Sequence, residues 1–222
     1  MKNSLLICGF IIFKMAGVAS ATILLDADWT VGTAIPDGSP VGITISQTFQ
    51  NLAGDPITSV DVRLNISGGY NGDLYGYLTL QDANGHVATE ILLNRVGTSP
   101  SNPFGASGSG FNTITLSDSG TVNGSIHGAS GIPTGIWLPD SANTLNGTFG
   151  GLTANGIWTL FLADMSVGGG TSTLESWGLD IRSGVPPEPT VPEPSTFIAG
   201  ALLLLPFGLQ GIRHLRNRKQ TA

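Results

Sequence analysis

Hydrophobic and polar residues alternate at every second position in several short stretches of this chain. In residues 60–66 each apolar side chain is followed by a polar one. A β-strand with this period buries one face and exposes the other. The same period recurs in residues 73–81, 157–163 and 173–181. The pattern therefore predicts antiparallel strands in two sheets. The apolar faces of the two sheets pack against each other and form the core of a β-sandwich of jelly-roll type.

A turn-rich run joins two of these stretches. Residues 82–85, Asp-Ala-Asn-Gly, tolerate positive φ and lead at once into the apolar residues 87–93, so the sequence predicts a β-hairpin here. We expect almost no helix before Thr196. The predicted core residues are Val62, Leu64, Leu78, Leu80, Trp158, Leu160, Trp177 and Leu179.

Tyr75 and Tyr77 face away from the apolar side of their predicted strand. Two neighbouring aromatic rings on an exposed sheet are candidate carbohydrate-binding residues. The alternative is structural, since such rings also form cross-strand pairs or lie under a second layer. The sequence leaves both interpretations open.

Composition strengthens the all-β interpretation. The 222 residues include 32 Gly and 13 Pro, and only 11% are charged, which is typical of a fold with many turns. In residues 22–184, three arginines against thirteen acids leave a net charge of −10, with no lysine. Such a surface repels a phosphate backbone, so we expect no nucleic-acid partner. Divalent cations are its natural counter-ions.

The two ends differ from this middle. Residues 1–21 have a basic start, a short apolar run and the small residues Ala19 and Ala21, which predicts a signal peptide cleaved after Ala21. The single cysteine, Cys8, lies inside it, so the mature protein has neither a disulfide nor a catalytic thiol. Residues 22–184 then form one domain.

The C-terminal end has three parts. Residues 185–195 are a proline-rich linker, residues 196–212 are an apolar segment predicted to form a single transmembrane helix, and residues 213–222 are a basic cytoplasmic tail. This charge distribution places the central domain outside the cell.

Motifs within the alternating stretches resemble a known family. Asp-Val-Arg-Leu-Asn-Ile, Gly-Asp-Leu and Leu-Thr-Leu occur in residues 61–80, and Gly-Ile-Trp-Thr-Leu and Trp-Gly-Leu-Asp-Ile occur near the end of the domain. Their order resembles the P domain (Homo B domain) of kexin and furin-like proprotein convertases and covers about residues 35–181. The resemblance implies a jelly-roll β-sandwich associated with a subtilisin-like serine endopeptidase. Gly68 and Asn71 stand where convertases often carry His and Arg.

The C-terminal end resembles a second family. Pro192, Glu193 and Pro194, followed by an apolar helix and basic residues, are similar to the PEP-CTERM sorting signal of bacterial exported proteins. The resemblance implies that a membrane exosortase recognises this motif and releases the protein. We then expect a chain that is transiently anchored in the inner membrane, ends near Glu193, and is found at the cell surface or in the extracellular matrix.

Catalytic motifs are missing from the sequence. His86 and His127 are the histidines of residues 22–184, and each lies in a turn or a glycine-rich loop, where a solvated side chain is expected. The chain has no nucleophile elbow, zinc-protease motif or phosphate-binding loop. We therefore expect no enzyme activity.

Three aspartates are candidate calcium ligands. Asp37, Asp73 and Asp164 lie in turns at predicted strand ends, where carboxylates and bent backbone carbonyls can converge on a hard cation. Capping of its own turn is the alternative for Asp73. Calcium is the single cofactor that the sequence points to.

Three functions remain open at this stage. The first is a non-catalytic exported P-domain protein, processed by an exosortase, that acts in the matrix by binding a surface protein or a polysaccharide. The second is an accessory domain of a serine endopeptidase supplied by another chain. The third is a lectin-like carbohydrate binder that uses Tyr75 and Tyr77.

Overall fold

Alternating apolar and polar residues fold into nine strands in residues 21–184, the part of the chain that this computed structural model describes. In chain order the strands are β1 (Thr22–Ile35), β2 (Ile43–Phe49), β3 (Ile57–Ser67), β4 (Leu74–Asp82), β5 (Val87–Asn94), β6 (Gly110–Leu116), β7 (Gly135–Trp137), β8 (Gly156–Asp164) and β9 (Ser172–Ser183). Sheet A has the order β1-β9-β3-β6-β7, and sheet B has the order β2-β8-β4-β5.

The strand pairings are nested. The first strand pairs with the last, β2 pairs with β8, β3 pairs with β6, and β4 pairs with β5, all of them antiparallel. Only the short β7 is parallel to its neighbour, β6. Nested pairings of this kind are what a jelly-roll winding requires. The predicted two-sheet, all-β sandwich is confirmed.

The core lies between the inner faces of the two sheets. All eight side chains predicted to be buried are at most 1% exposed. The Trp158 ring packs against Phe149 with centroids 5.2 Å apart, and its indole N–H donates to the Ala154 carbonyl at 3.0 Å. Trp177 contacts Trp29 at 4.9 Å between ring centroids. Both predicted tryptophans are therefore packing residues.

One short α-helix, α1 (Leu145–Phe149), accompanies the strands in residues 21–184. The Thr144 side chain caps it by accepting from the Gly147 N–H at 3.0 Å, and the Asp118 carboxylate accepts from two further N–H groups of its first turn. The expectation of almost no helix is confirmed over this part of the chain. No helix within residues 21–184 is long and apolar enough to cross a membrane.

The predicted sorting segments lie largely beyond these residues. The apolar segment 196–212, the proline-rich linker and Ala19 are outside the described part of the chain. Ala21 is its first residue and directly precedes β1. Cleavage, anchoring and sorting therefore stay predictions from the sequence.

Candidate functional site

The outer face of sheet B carries the predicted tyrosines. Alternation along β4 buries Leu74, Leu78 and Leu80 and turns Tyr75 and Tyr77 outward, as the sequence predicts. Both tyrosine side chains are partly exposed. The placement of the two candidate carbohydrate residues on one outer sheet face thus follows from the period of the strand.

An aromatic row crosses this face. The strand register places Phe161 of β8 directly opposite Tyr77, with Thr44 and Ile91 at the two ends of the row. The Phe161 and Tyr77 rings are stacked, with centroids 4.7 Å apart and an interplanar angle of 19°. Tyr75 meets Tyr77 edge-on, at 6.2 Å and 66°. Of the two ring contacts, the Tyr77–Phe161 pair is therefore the one with nearly parallel rings. The sequence analysis did not identify Phe161 as a member of this face.

A row of hydroxyl groups lies beside the aromatic row. Register places Ser46, Thr159, Thr79 and Thr89 opposite one another across all four strands of sheet B. The hydroxyls of Ser46 and Thr159 are 3.0 Å apart, and those of Thr79 and Thr89 are 2.9 Å apart. Hydroxyl groups can both donate and accept, so this row can reorganise around a polar ligand.

Charged side chains are missing from this face. The outward positions of the four strands carry aromatic, aliphatic, hydroxyl and amide side chains, with no Asp, Glu, Lys, Arg or His among the described residues. A domain with a net charge of −10 over residues 22–184 thus keeps one whole sheet face neutral. Those outward positions are Thr44, Ser46, Thr48, Tyr75, Tyr77, Thr79, Gln81, Val87, Thr89, Ile91, Asn94, Ile157, Thr159, Phe161 and Ala163. We call them the neutral face.

The three candidate calcium ligands gather at one end of the sandwich. Asp164 is buried at the end of β8, and its Oδ1 accepts from the N–H groups of Gly38 and Ser166 at 3.4 and 3.1 Å. Asp37 accepts from the Gly168 N–H at 3.0 and 3.2 Å. Burial raises the pKa of Asp73, and the nearby Asp164 charge raises it further. Asp37 follows β1, Asp73 directly precedes β4 and Asp164 ends β8, so three segments bring these carboxylates to the same end of the sandwich.

These contacts stop short of a coordination shell. No group of three or more His, Cys, Asp or Glu side chains among residues 21–184 has a metal-binding arrangement. Both oxygens of the Asp37 carboxylate accept from the one backbone N–H of Gly168, whereas the buried Asp164 Oδ2 has no hydrogen-bond partner among the described residues. Calcium binding at this corner thus remains a prediction.

His127 has a role that the sequence did not indicate. Its Nδ1 lies 2.7 Å from the Asp140 carboxylate, and its Nε2 lies 2.9 Å from the Thr98 carbonyl oxygen. The Asp140 carboxylate also accepts from the Asn94 N–H at 3.1 Å. The hydrogen bond to Asp140 raises the pKa of His127. His127 was expected to be a solvated loop residue, but it is half-buried and its ring contacts two other loops. Both ring nitrogens are used in these contacts, so neither is free to act as a base.

His86 fits its expected position. It is exposed beyond the β4–β5 turn, and its Nδ1 lies 3.0 Å from the Asp82 carboxylate. Asp82 also accepts from the N–H groups of Asn84 and His86 at 2.9 and 2.8 Å. These contacts close the predicted hairpin.

Comparison with known proteins gives structural similarities alone. No family model matches the chain, and no curated protein matches it. The structure of the Aeromonas sobria serine protease in complex with the chaperone ORF2 aligns with a TM-score of 0.43 and 16% identity, over 74% of this chain and 27% of that chain. The Aeromonas sobria serine protease structure aligns with a TM-score of 0.44 and 15% identity, over 73% and 27%.

A third structure, of the infectious bursal disease virus Gt strain, aligns with a TM-score of 0.17 and 14% identity, over 91% of this chain and 52% of that chain. This chain spans about a quarter of the length of the two protease structures. All three TM-scores lie below 0.5. The class of protein is therefore defined by the topology itself, an all-β sandwich of two sheets.

Proposed function

We propose that this chain is a non-catalytic, exported binding module that holds a neutral polysaccharide on the outer face of sheet B. The observation that carries the proposal is the neutral face, with its Tyr77–Phe161 stack and its row of four hydroxyls. A partly exposed sheet face that combines aromatic rings with hydroxyl groups and has no charge is a candidate binding surface.

The chemistry of the face matches that of a sugar chain. A pyranose ring offers an apolar C–H face to an aromatic ring and hydroxyl groups at its edges. Tyr77 and Phe161 supply the apolar surface, and the row from Ser46 to Thr89 supplies hydrogen-bonding partners beside it. Polysaccharide repeats extend over many residues, as the face does across four strands. One face can thus contact several sugar units at once.

Charge narrows the ligand class. The neutral face belongs to a domain with thirteen acidic residues and three arginines in residues 22–184. An anionic polymer would approach against this charge and find no cation on the face, whereas a neutral polymer pays no such electrostatic cost. We therefore expect binding to neutral polysaccharides and weak dependence on ionic strength.

Depletion of the full-length protein by insoluble cellulose, used as the neutral test polymer, examines this proposal. Tyr77→Ala and Phe161→Ala should each weaken binding by about tenfold, because each removes one ring of the stack. Tyr70→Ala is the matched control, since Tyr70 is 44% exposed and lies outside the face. Equal binding by all four proteins would contradict the proposal. So would stronger retention on an anionic polymer, such as alginate, than on cellulose.

The proposed place of action is outside the inner membrane. This part rests on the signal peptide, the Pro192-Glu193-Pro194 motif and the basic tail, and it makes an exosortase the processing partner. Mass spectrometry of the exported protein should show a C-terminus near Glu193. Recovery of residues 197–222 on the exported protein, or unchanged release when the motif is replaced by alanines, would contradict it.

A second candidate is an accessory domain of a serine endopeptidase supplied by another chain. It is favoured by the P-domain-like motifs of the sequence, which fall in or beside β3, β4, β8 and β9. Co-purification from the host with a protease that reacts with a fluorophosphonate probe would support it. Labelling of the purified chain itself would contradict a non-catalytic role for either candidate.

A further inference from the structure

The sheets of this sandwich end in four edge strands within residues 21–184: β1, β7, β2 and β5. An edge strand presents unpaired N–H and C=O groups, and proteins protect such edges with charges, bulges, prolines or short length. Three of the four edges are protected in one of these ways. The exception, β2, defines the surface of interest.

The protected edges use different devices. The edge strand β1 carries Asp26 and Asp28, and its register with β9 shifts twice. The β7 strand has three residues. The β5 strand has an irregular register opposite Gly76 and Tyr77 and points the buried carboxylate of Glu90 inward. Each device interrupts a continuous row of backbone groups or places a charge beside it.

The β2 strand has none of these devices. Its seven residues, Ile-Thr-Ile-Ser-Gln-Thr-Phe, include no charge and no proline, and its register with β8 runs without a shift from Ile43 to Phe49. Among residues 21–184 its ladder runs to β8 alone, and no loop amide or carbonyl covers its other edge. A straight, uncharged strand of this length is a template for strand addition.

We propose that β2 pairs antiparallel with β2 of a second copy of this chain, which joins the two B sheets into one continuous sheet. A two-fold axis at Ser46, the central residue, would place Thr44 opposite Thr48 of the second copy and Ile43 opposite its Phe49. Outward hydroxyls then meet hydroxyls, Ile43 meets Phe49, and Ile45 meets the aliphatic stem and amide of Gln47. The outward side of this strand is therefore complementary to itself, as a two-fold contact requires, and its inward side is so at the two ends.

Charge restricts where two copies of this chain can approach each other. Two domains that each carry −10 over residues 22–184 repel one another at most orientations. The β2 edge adjoins the neutral face, so it is where two copies approach with little repulsion. The joined sheet would extend the hydroxyl row through both copies. The inference rests on the edge strand and is independent of which ligand binds the face.

Hydrogen exchange of the full-length chain, purified in non-ionic detergent without polysaccharide, tests this pairing. When the concentration rises from micromolar to millimolar, the alternate β2 amides that do not donate to β8 should exchange about tenfold more slowly. The β5 amides serve as an internal reference and should not change. The readout is local to β2, so association through any other segment leaves it unaffected.

Two matched variants complete the test. Ser46→Lys places like charges opposite each other at the two-fold axis and should abolish the concentration dependence, whereas Thr89→Lys adds the same charge at the opposite edge of sheet B and should preserve it. Circular dichroism should show both variants folded. Exchange at β2 that ignores concentration, a Ser46→Lys variant that behaves like wild type, or growth beyond a dimer would each overturn the proposal. Tyr77→Ala should leave the pairing intact, so loss of polysaccharide binding and loss of pairing are distinguishable.

Discussion

The two outer faces of the sandwich treat charge in opposite ways. On sheet A, register places Asp26, Asp180 and Asp61 opposite one another across three neighbouring strands. On sheet B the outward positions are the neutral face, with aromatic rings and hydroxyl groups. Like charges directly opposite one another destabilise a sheet unless cations offset them. The face of sheet A must therefore contain its own compensation.

Two arginines supply that compensation. Arg63 lies across the face of sheet A, with its Nε 2.7 Å from Asp28 and an Nη 2.8 Å from Asp26. Arg182 contacts both carboxylate oxygens of Asp180, at 3.1 and 2.7 Å. Asp26, Asp28 and Asp180 of this face are thus each paired with an arginine. The neutral face keeps partly exposed rings that have no such partners outside the sheet.

Under the proposed function, the difference separates a face that contacts solvent from a face that binds the ligand. A face whose polar groups already satisfy one another gains little from a ligand, because each new contact replaces an existing one. A neutral face with partly exposed aromatic rings gains apolar burial when a ligand covers it. The proposed ligand therefore belongs on the neutral face of sheet B and not on the charged face of sheet A.

The largest expected effect comes from Gly178, a residue of β9 that lies under the charged side chains on the outer face of sheet A. Gly178 lies directly beneath the ion pair of Asp28, and an added Cβ would overlap Asp28 Oδ1 and lie 2.7 Å from the Ala27 carbonyl oxygen. Gly178→Ala must displace backbone as well as the carboxylate, so we expect a loss of about 3 kcal/mol in the free energy of unfolding. Urea denaturation measures it.

Gly54→Ala is the matched control for that measurement. A Cβ at Gly54 meets nothing within 4 Å, and the residue does not have a positive φ. We expect this variant to stay within about 0.5 kcal/mol of wild type. If both alanine variants unfold at the same urea concentration, the statement that a side chain at Gly178 has no room beside Asp28 and Ala27 would be wrong.

A smaller loss is expected when the central cation of sheet A is removed. Arg63→Met keeps the aliphatic stem and leaves Asp26 and Asp28 without a partner. The Arg63 side chain is 20% exposed, but its partners are 55% and 63% exposed, so solvent screens the pairs. We expect a loss of about 1 kcal/mol that shrinks at high salt. Thr79→Val, at an outward position of sheet B, should show no salt-dependent change, and a similar salt response in both variants would remove the contrast between the faces.

Sequence period predicted the core well and the site only in part. The inward side chains of β3, β4, β8 and β9 repeat at every second position, so burial follows from local pattern alone. The strands β1 and β2 were not predicted. In β1 the outward Asp26 and Asp28 do alternate with Ala27 and Trp29, so a usable signal was present beside the predicted cleavage point.

The meeting of side chains from different strands could not be predicted. Phe161 lies on the outward side of its strand, and its contact with Tyr77 depends on the register between β8 and β4. The His127–Asp140 contact joins two loops that have no period at all. A turn fixes the register of neighbouring strands, but β4 and β8 are distant in the sequence, so their register depends on how the whole core packs.

His127, whose ring joins two other loops, supports a pH prediction. The hydrogen bond to Asp140 raises its pKa in the folded state, so the folded protein holds this proton more tightly than the unfolded chain does. The stabilisation is complete below the ordinary histidine pKa of about 6.5 and is lost as the pH rises through the folded-state value. The melting temperature should therefore fall across this window.

His127→Gln is the variant that tests the assignment. It retains a polar side chain but cannot bind the proton, so the fall in melting temperature across this pH window should flatten. Asp140→Asn should flatten it as well, because it removes the group that raises the pKa of His127. An unchanged slope in both variants would assign the pH dependence to another group.

The smallest expected effect concerns Asp37, Asp73 and Asp164, which lie at one end of the sandwich and belong to neither outer face. Burial and the Asp164 charge raise the pKa of Asp73 in the folded state. The free energy of unfolding should therefore fall as the pH rises from the ordinary aspartate pKa through the folded-state pKa, because Asp73 ionises less readily in the folded protein than in the unfolded chain. A cation held by Asp37, Asp73 and Asp164 would offset this repulsion and stabilise the folded state by mass action. Millimolar calcium should then raise the melting temperature above its value in chelator.

Asp73→Asn should raise the melting temperature in chelator and abolish the response to calcium, because it removes both the repulsion and a ligand. Asp55→Asn, at an exposed position in the loop before β3, should leave the response intact. A wild-type melting curve that does not move with calcium would show that the corner is three loop contacts and no cation site.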